Sequence, residues 1–150
     1  RHGKPDATDA ELWEALTVAQ AADFVAAMPG GLDATINQGG TNVSGGQRQR
    51  LAIARALVRR PSVYLFDDSF SALDMATDSR LRAALVPHTR DAVVITVAQR
   101  VATVRDADLI LVMEEGRLVD QGPPDELFAR PGPLRDAWIA QTPDGAPEAA

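Results

Sequence analysis

Val63-Tyr64-Leu65-Phe66 is an unbroken run of apolar, β-favouring residues that stops abruptly at Asp67-Asp68. Four residues are too few for a helix, so the run reads as a buried strand with two carboxylates at its carboxyl end. Ala92 to Val97 repeats the pattern as a second continuous apolar strand. Helical spacing surrounds them. Gln47 to Arg60 places Leu51, Ala54 and Val58 on one side with Ile53 and Leu57 beside them, ended by Pro61, and Met75 to Val86 closes before Pro87. Buried strands alternating with helices predict an α/β fold with a largely parallel sheet.

The flanks are simpler. Thr8 with Glu11 three residues on is a capping box, and Leu12, Leu16 and Ala19 follow at helical spacing. A second short helix is expected over 21–27, stopped by Met28-Pro29-Gly30-Gly31, and the polar, glycine-rich stretch 32–46 reads as a loop. Downstream, 109–113 and 117–119 read as a hairpin through Glu114-Glu115-Gly116, with helical segments at 125–129 and 134–139. The tail 142–150, with Pro143, Gly145 and Pro147, is expected to be disordered. Trp13, Trp138 and Tyr64 read as packing residues, His88 as an exposed residue, and Glu114-Glu115 as hairpin solvation.

Composition narrows the function classes. A chain of 150 residues with 45% apolar and 24% charged residues suits one domain with a real core. Its net charge of −6 argues against a nucleic-acid partner or an anionic membrane surface. Without cysteine there is no disulfide framework and no thiolate metal site, and two histidines are too few for a histidine cage. No uncharged apolar run approaches the roughly 18 residues that span a bilayer.

Four stretches could carry chemistry. At Ser44-Gly45-Gly46-Gln47 a glycine loop runs into a helix start, where free N–H groups and the positive dipole end suit a phosphate. Alone, it reads more readily as a plain glycine-bearing helix start. Arg48 and Arg50, placed in the first turn, work against the dipole, a cost that a bound anion or an acidic partner would offset. Asp67-Asp68 lie outside a strand's carboxyl end, where carboxylates can hold Mg²⁺ through water or orient an attacking water; they could also be a helix N-cap and first-turn acid pair. Ser71-Ala72-Leu73-Asp74 reads alone as a turn and helix cap, and Gln99-Arg100 as a polar strand end.

In sequence order these stretches resemble the C-terminal two-thirds of an ATP-binding cassette (ABC) nucleotide-binding domain, over about residues 3–128 and most of all its exporter branch. The resemblance implies a partial P-loop NTPase-like ABC ATPase fold: a helical subdomain over 1–60, then the second half of the catalytic core over 61–141. It implies that Val43, Ser44, Gly45, Gly46 and Gln47 form the signature that touches the γ-phosphate of ATP held by an opposite subunit. Asp67 matches the Walker B aspartate behind Mg²⁺, and Ser71, Ala72, Leu73 and Asp74 match the D-loop that crosses the dimer interface. Pro123-Pro124 stand where the family commonly has Thr-His after a glycine.

The departures carry as much. No G-x-x-x-x-G-K-[ST] occurs, since Gly3-Lys4 is followed by Pro5 and lacks the glycine loop, so the resemblance implies a piece that begins after the Q-loop. Asp68 stands where the family usually has the catalytic glutamate, Gln99 where it has the switch histidine, and Gln38 where exporters often carry a glutamate facing the transmembrane domain. This resembles the degenerate-site subunit of a heterodimeric exporter. The implied activity is hydrolysis of ATP with Mg²⁺, coupled to export at the cytoplasmic face of the membrane. The implied partners are transmembrane domains and a second, different nucleotide-binding domain. Two rivals remain: a soluble ABC ATPase of DNA repair or translation, which would bring coiled coils or a basic surface, and a non-catalytic, truncated partner-binding product.

Overall fold

The computed structural model describes residues 3–142. The expected tail lies outside the described residues except for Thr142. The α/β fold is as expected: α1 (Asp9–Val18), α2 (Ala22–Ala26), α3 (Gly45–Leu57), β1 (Val63–Asp67), α4 (Met75–His88), β2 (Val93–Val97), α5 (Val101–Val104), β3 (Ile110–Glu114), β4 (Arg117–Gly122), α6 (Pro124–Ala129) and α7 (Pro133–Gln141). The chain divides into two compact units, Arg1–Val97 and Ala98–Ala150. Among the described residues no helix is long and apolar enough to cross a membrane.

In the first unit β1 and β2 pair in parallel, Val63 opposite Val93 through Asp67 opposite Val97. Tyr64 and Phe66 point to one face and stack at 5.9 Å, and Phe66 meets Phe70 at 5.4 Å. They join a core with Leu16 and Val25 from the first two helices, Ile53 and Leu57 from α3, and Leu81 and Leu85 from α4. Leu57 and Leu81 are fully buried. Trp13 packs against this core at its margin, as expected.

Four local expectations are corrected. The strands are not buried on both faces: β1 alternates, with Leu65 67% exposed, and Val93, Ile95 and Val97 of β2 are exposed too. An unbroken apolar run is what two-sided burial looks like in sequence, whereas the described helices cover one side. Helix α3 ends at Leu57 rather than Arg60: the chain leaves it through a tighter turn, Arg59 and Arg60 N–H donating to the Ala56 and Leu57 carbonyls at 3.3 and 3.0 Å, and Arg60 takes a left-handed φ of 47° before Pro61, which has no N–H to continue the helix. Pro87 lies inside the last turn of α4 instead of beyond it, where its missing N–H removes the i−4 donor to the Ala83 carbonyl, and Thr89 closes the end with its N–H and Oγ1 both on the Leu85 carbonyl at 2.9 Å. His88 is largely covered, its ring 11% exposed and Nδ1 4.0 Å from the Glu14 carboxylate.

In the second unit β3 and β4 form the expected antiparallel hairpin, turned by Glu115 and Gly116 at φ 46° and 76°, the left-handed pair that a tight two-residue turn requires. Val101, Ile110, Leu127 and Leu134 make its core, and Trp138 packs edge-on against Phe128 at 5.5 Å.

The start of α1 shows how its sequence signal works. Glu11 accepts from the Thr8 N–H at 2.8 Å while Thr8 Oγ1 accepts from the Glu11 N–H at 3.3 Å, and Lys4 Nζ reaches the same carboxylate at 2.5 Å. The Lys4 ammonium first, then the Thr8 donors, hold the Glu11 carboxyl down to about 2 from 4.5. A depressed folded pKa stabilises fully above the unfolded value and ceases to do so as pH falls through the folded one. Glu11→Gln should therefore lower the melting temperature at neutral pH, with the difference shrinking below about pH 4.5 and gone near pH 2, as thermal melts across that range would read.

Candidate functional site

Helix α3 begins two residues earlier than its apolar spacing indicates, at Gly45, because Ser44 caps it. Ser44 Oγ accepts from the Gln47 N–H at 3.2 Å and Gln47 Oε1 accepts from the Ser44 N–H at 2.8 Å, a second capping box that the sequence reading did not recognise. The N–H groups of Gly45 and Gly46 head the helix and have no intrahelical acceptor. Val43 turns inward, 8% exposed, while Ser44 stays exposed.

The loop before the helix is ordered by one side chain. Asn42 Nδ2 donates to the Thr35 carbonyl at 2.8 Å and its Oδ1 accepts from the Asn37 N–H at 3.0 Å. This closes a ring around the short 3₁₀ turn Gln38–Gly40, where Gln38 is exposed. Gly40 is required twice: its φ is 67°, and a Cβ there would meet Arg48 Cδ at 2.5 Å.

The arginines are explained within the chain, which corrects their reading as the sign of an anion or acidic partner. Arg48 is the fourth helical residue and Arg50 the sixth, so Arg50 lies beyond the first turn. Arg48 Nη1 donates to the Gly40 and Val43 carbonyls, both at 3.1 Å. Arg50 Nη1 donates to the Gln20 carbonyl at 2.6 Å, with its guanidinium 5.0 Å over the Phe24 ring. Carbonyl oxygens and a π face offset the unfavourable dipole.

Beyond β1 the backbone turns sharply. Asp67 ends the strand, exposed, and Asp68 takes a left-handed φ of 48°, a conformation aspartate tolerates better than most residues. The Asp68 N–H donates to the Val97 carbonyl at 3.0 Å, which fixes the kink to the end of β2. The N-cap alternative for Asp67-Asp68 fails, because the next helix starts seven residues later at Met75. Asp74 is that helix's cap, its carboxylate accepting from the Thr77 N–H at 2.9 Å, which holds its carboxyl below the usual range.

These two stretches, 19 to 23 positions apart in sequence, meet through a residue not singled out from sequence. Gln49 Nε2 donates to the Asp68 carbonyl at 3.3 Å and to Ser71 Oγ at 3.1 Å, and its Oε1 accepts from the Ala72 N–H at 3.0 Å. Ser71 Oγ in turn donates to the Asp68 carbonyl at 3.0 Å. Gly46 faces the same loop, and a Cβ on it would lie 3.0 Å from the Ala72 carbonyl oxygen. Position in the SGGQRQR run was the available signal for Gln49: one turn beyond the cap, it shares a face with Gly45 and Gly46. Leu73 is buried beside them, while Ser71 and Ala72 are exposed. Gln99 lies in the second unit, exposed, its carbonyl accepting from Gln141 Nε2 at 2.9 Å.

The chemistry available is anion recognition next to carboxylates. An exposed carboxylate at a strand's carboxyl end is the donor set that Mg²⁺ takes alongside phosphate oxygens and water, so Asp67 fits that ion. The helix start offers the Gly45 and Gly46 amides, and Ser44 adds a hydroxyl proton, because its Oγ lone pair already serves Gln47.

Comparison with known proteins brings in the family. A sequence profile described as ABC transporter matches residues 5–71. An ABC transporter ATP-binding protein of Mycobacterium tuberculosis is 49% identical over 129 residues, 85% of this chain and 22% of its own length. The Agrobacterium fabrum β-(1→2)glucan export ATP-binding/permease protein NdvA is 40% identical over 132 residues, 88% of this chain and 22% of its own. Among solved structures, a bacterial Atm1-family ABC exporter with ATP bound superposes with a TM-score of 0.88 at 36% identity, covering 97% of this chain and 25% of that one. The chain thus spans about a fifth to a quarter of the length of these relatives. The profile ends at the Asp68–Ser71 turn and the exporter structure continues over nearly all the rest, which makes one assignment of both: the chain belongs to the ABC transporter family and carries part of its ATP-binding domain.

Proposed function

We propose that this chain works in the nucleotide-binding domain of an exporter-type ABC transporter, on the cytoplasmic side of a membrane, where ATP hydrolysis drives export. Its partners are transmembrane domains and a second nucleotide-binding domain. The observation that carries the reading is the Gln49 bridge: the two stretches that the resemblance assigns to nucleotide chemistry form one surface, with α3 presenting its N–H groups beside the loop that carries Asp68.

In this reading Ser44, Gly45 and Gly46 donate hydrogen bonds to the γ-phosphate of ATP held by the opposite domain. Val43 and Gln47 hold that helix start in shape, Val43 by burial and Gln47 by its reciprocal bonds with Ser44. Asp67 holds Mg²⁺, which when bound neutralises charge on the phosphate oxygens. Asp68 orients the attacking water and accepts its proton, Gln99 donates its amide to the γ-phosphate, and Ser71 to Asp74 meet the second domain. Catalysis is then positioning and charge stabilisation in phosphoryl transfer to water. The lack of coiled-coil repeats and the net charge of −6 count against the soluble DNA-repair or translation rival.

The reading makes the two substituted positions the basis of an asymmetric pair. Aspartate at 68 is one methylene shorter than glutamate, about 1.5 Å of reach. A misplacement of about 1 Å can cost on the order of 10²-fold in rate, roughly 2.7 kcal/mol of barrier. Gln99 cannot carry the proton or charge that a histidine can. We infer a heterodimer in which the site served by Asp68 and Gln99 holds ATP for long periods, while this chain's signature serves a competent site on its partner.

Three outcomes are expected. The 150-residue chain by itself, which has no P-loop motif, should show negligible ATPase activity and bind ATP at millimolar Kd or weaker; micromolar binding by calorimetry would contradict this. In the assembled transporter Gly46→Val should lower turnover at least about 100-fold while the fold survives, since the new side chain presses on the Ala72 carbonyl and displaces the helix start from the Asp68 loop; turnover near the parent value would reduce Ser44 to Gln47 to a helix start. Purification should recover a different ABC chain with glutamate and histidine at the matching positions. In that complex Asp68→Glu with Gln99→His should raise hydrolysis at the weak site, whereas loss of most turnover on removing Asp68 alone would reverse the asymmetry.

A further inference from the structure

Helix α7 ends on Gln141, whose amide reaches back to the backbone around Gln99. Its Nε2 donates to the Gln99 carbonyl and its Oε1 accepts from the Val101 N–H, each at 2.9 Å. The reverse setting of this amide would put NH₂ against N–H and oxygen against oxygen, so the two partners determine which way round it sits. The bonds flank Arg100, the N-cap position of α5, which supplies no side-chain cap of its own. A carbonyl at 99 and an N–H at 101 are what one residue of a neighbouring parallel strand would engage, and Gln141 does so with a single side chain. Together they hold the Arg100 φ and ψ, here −88° and 119°, and fix the Gln99 carbonyl and the peptide plane that follows it.

The clamp stands on a packed base. Leu134 is buried, and Ala137 and Trp138 lie against Val101, Ile110 and Leu127 in the core of the same unit. Gln99 itself is exposed, with its position given by its backbone. We propose that Gln141 is a positioning residue for Gln99: the docked α7 fixes the Gln99 backbone and so the point from which its side chain extends, and loosening the last turn of α7 releases it. The functional consequence rests on the role proposed above for Gln99, namely retention of ATP at the weak site.

The test uses the assembled transporter with two readouts, amide hydrogen exchange at Val101 and the rate at which labelled ATP leaves the weak site. Gln141→Ala should speed exchange at Val101 at least about 10-fold and ATP release about 3- to 30-fold. Gln141→Glu keeps an acceptor for Val101 and sets a carboxylate oxygen against the Gln99 carbonyl, so it should preserve the Val101 protection yet speed ATP release as Gln141→Ala does. With Gln99→Ala in place, Gln141→Ala should add nothing to release. Unchanged exchange at Val101 in Gln141→Ala overturns the clamp. An effect of Gln141→Ala on release that persists undiminished beside Gln99→Ala also overturns it, because α7 would then act through something other than Gln99. Failure of the underlying reading looks different: Gln99→Ala alone leaves ATP release unchanged while the Val101 exchange still responds to Gln141.

Discussion

The three hydrogen bonds of the Gln49 amide hold the candidate site of the first unit together. They join the start of α3 to a loop that has no regular structure of its own between β1 and α4. A backbone kinked at Asp68 and run on through Ser71 and Ala72 leaves carbonyls and N–H groups outside any helix, and one side chain with a donor end and an acceptor end takes up two of them, the Asp68 carbonyl and the Ala72 N–H. Gly46 makes the short distance possible, since its missing Cβ leaves the Ala72 carbonyl room to approach. The Gln49 amide therefore ties the start of α3 directly to the backbone of the Asp68 loop.

A similar economy governs the positive charges. Arg48 lies in the first turn of α3, where the dipole opposes it, and Arg50 just beyond, yet each is turned back onto carbonyls of its own chain, and Arg50 also covers Phe24. The peptide groups at the helix start add partial positive charge whose N–H vectors are fixed, and the Arg48 guanidinium, held on the Gly40 and Val43 carbonyls, is ordered beside them.

Where local chemistry is sufficient, the sequence was legible. The Thr8/Glu11 capping box, the glycine-turned hairpin at Glu115-Gly116 and the parallel placing of two apolar strands around a helix all appear as read. Boundaries failed where a residue's effect depends on distance from a helix end: Arg60 leaves α3 early before Pro61, while Pro87 is absorbed in the last turn of α4. Burial of the strands also failed, because an apolar run records a preference for cover and not which face receives it.

The candidate site divides along the same line. Sequence by itself determined the residue types and their order: a glycine helix start, carboxylates at a strand end, Asp68 and Gln99 where longer or titratable side chains are usual in the family, and Asp74 as a cap. These follow from backbone freedom, side-chain length and helix-end chemistry within a few residues. Only the tertiary structure decided that Gln49 binds the Asp68 loop, that Gly46 faces Ala72, and that Gln141 grips the backbone on both sides of Arg100. Glutamine has one donor and one acceptor end wherever it stands, and no local pattern says which distant backbone groups will be left unpaired within its reach. That is settled when the core of each unit packs and brings those groups to about 3 Å.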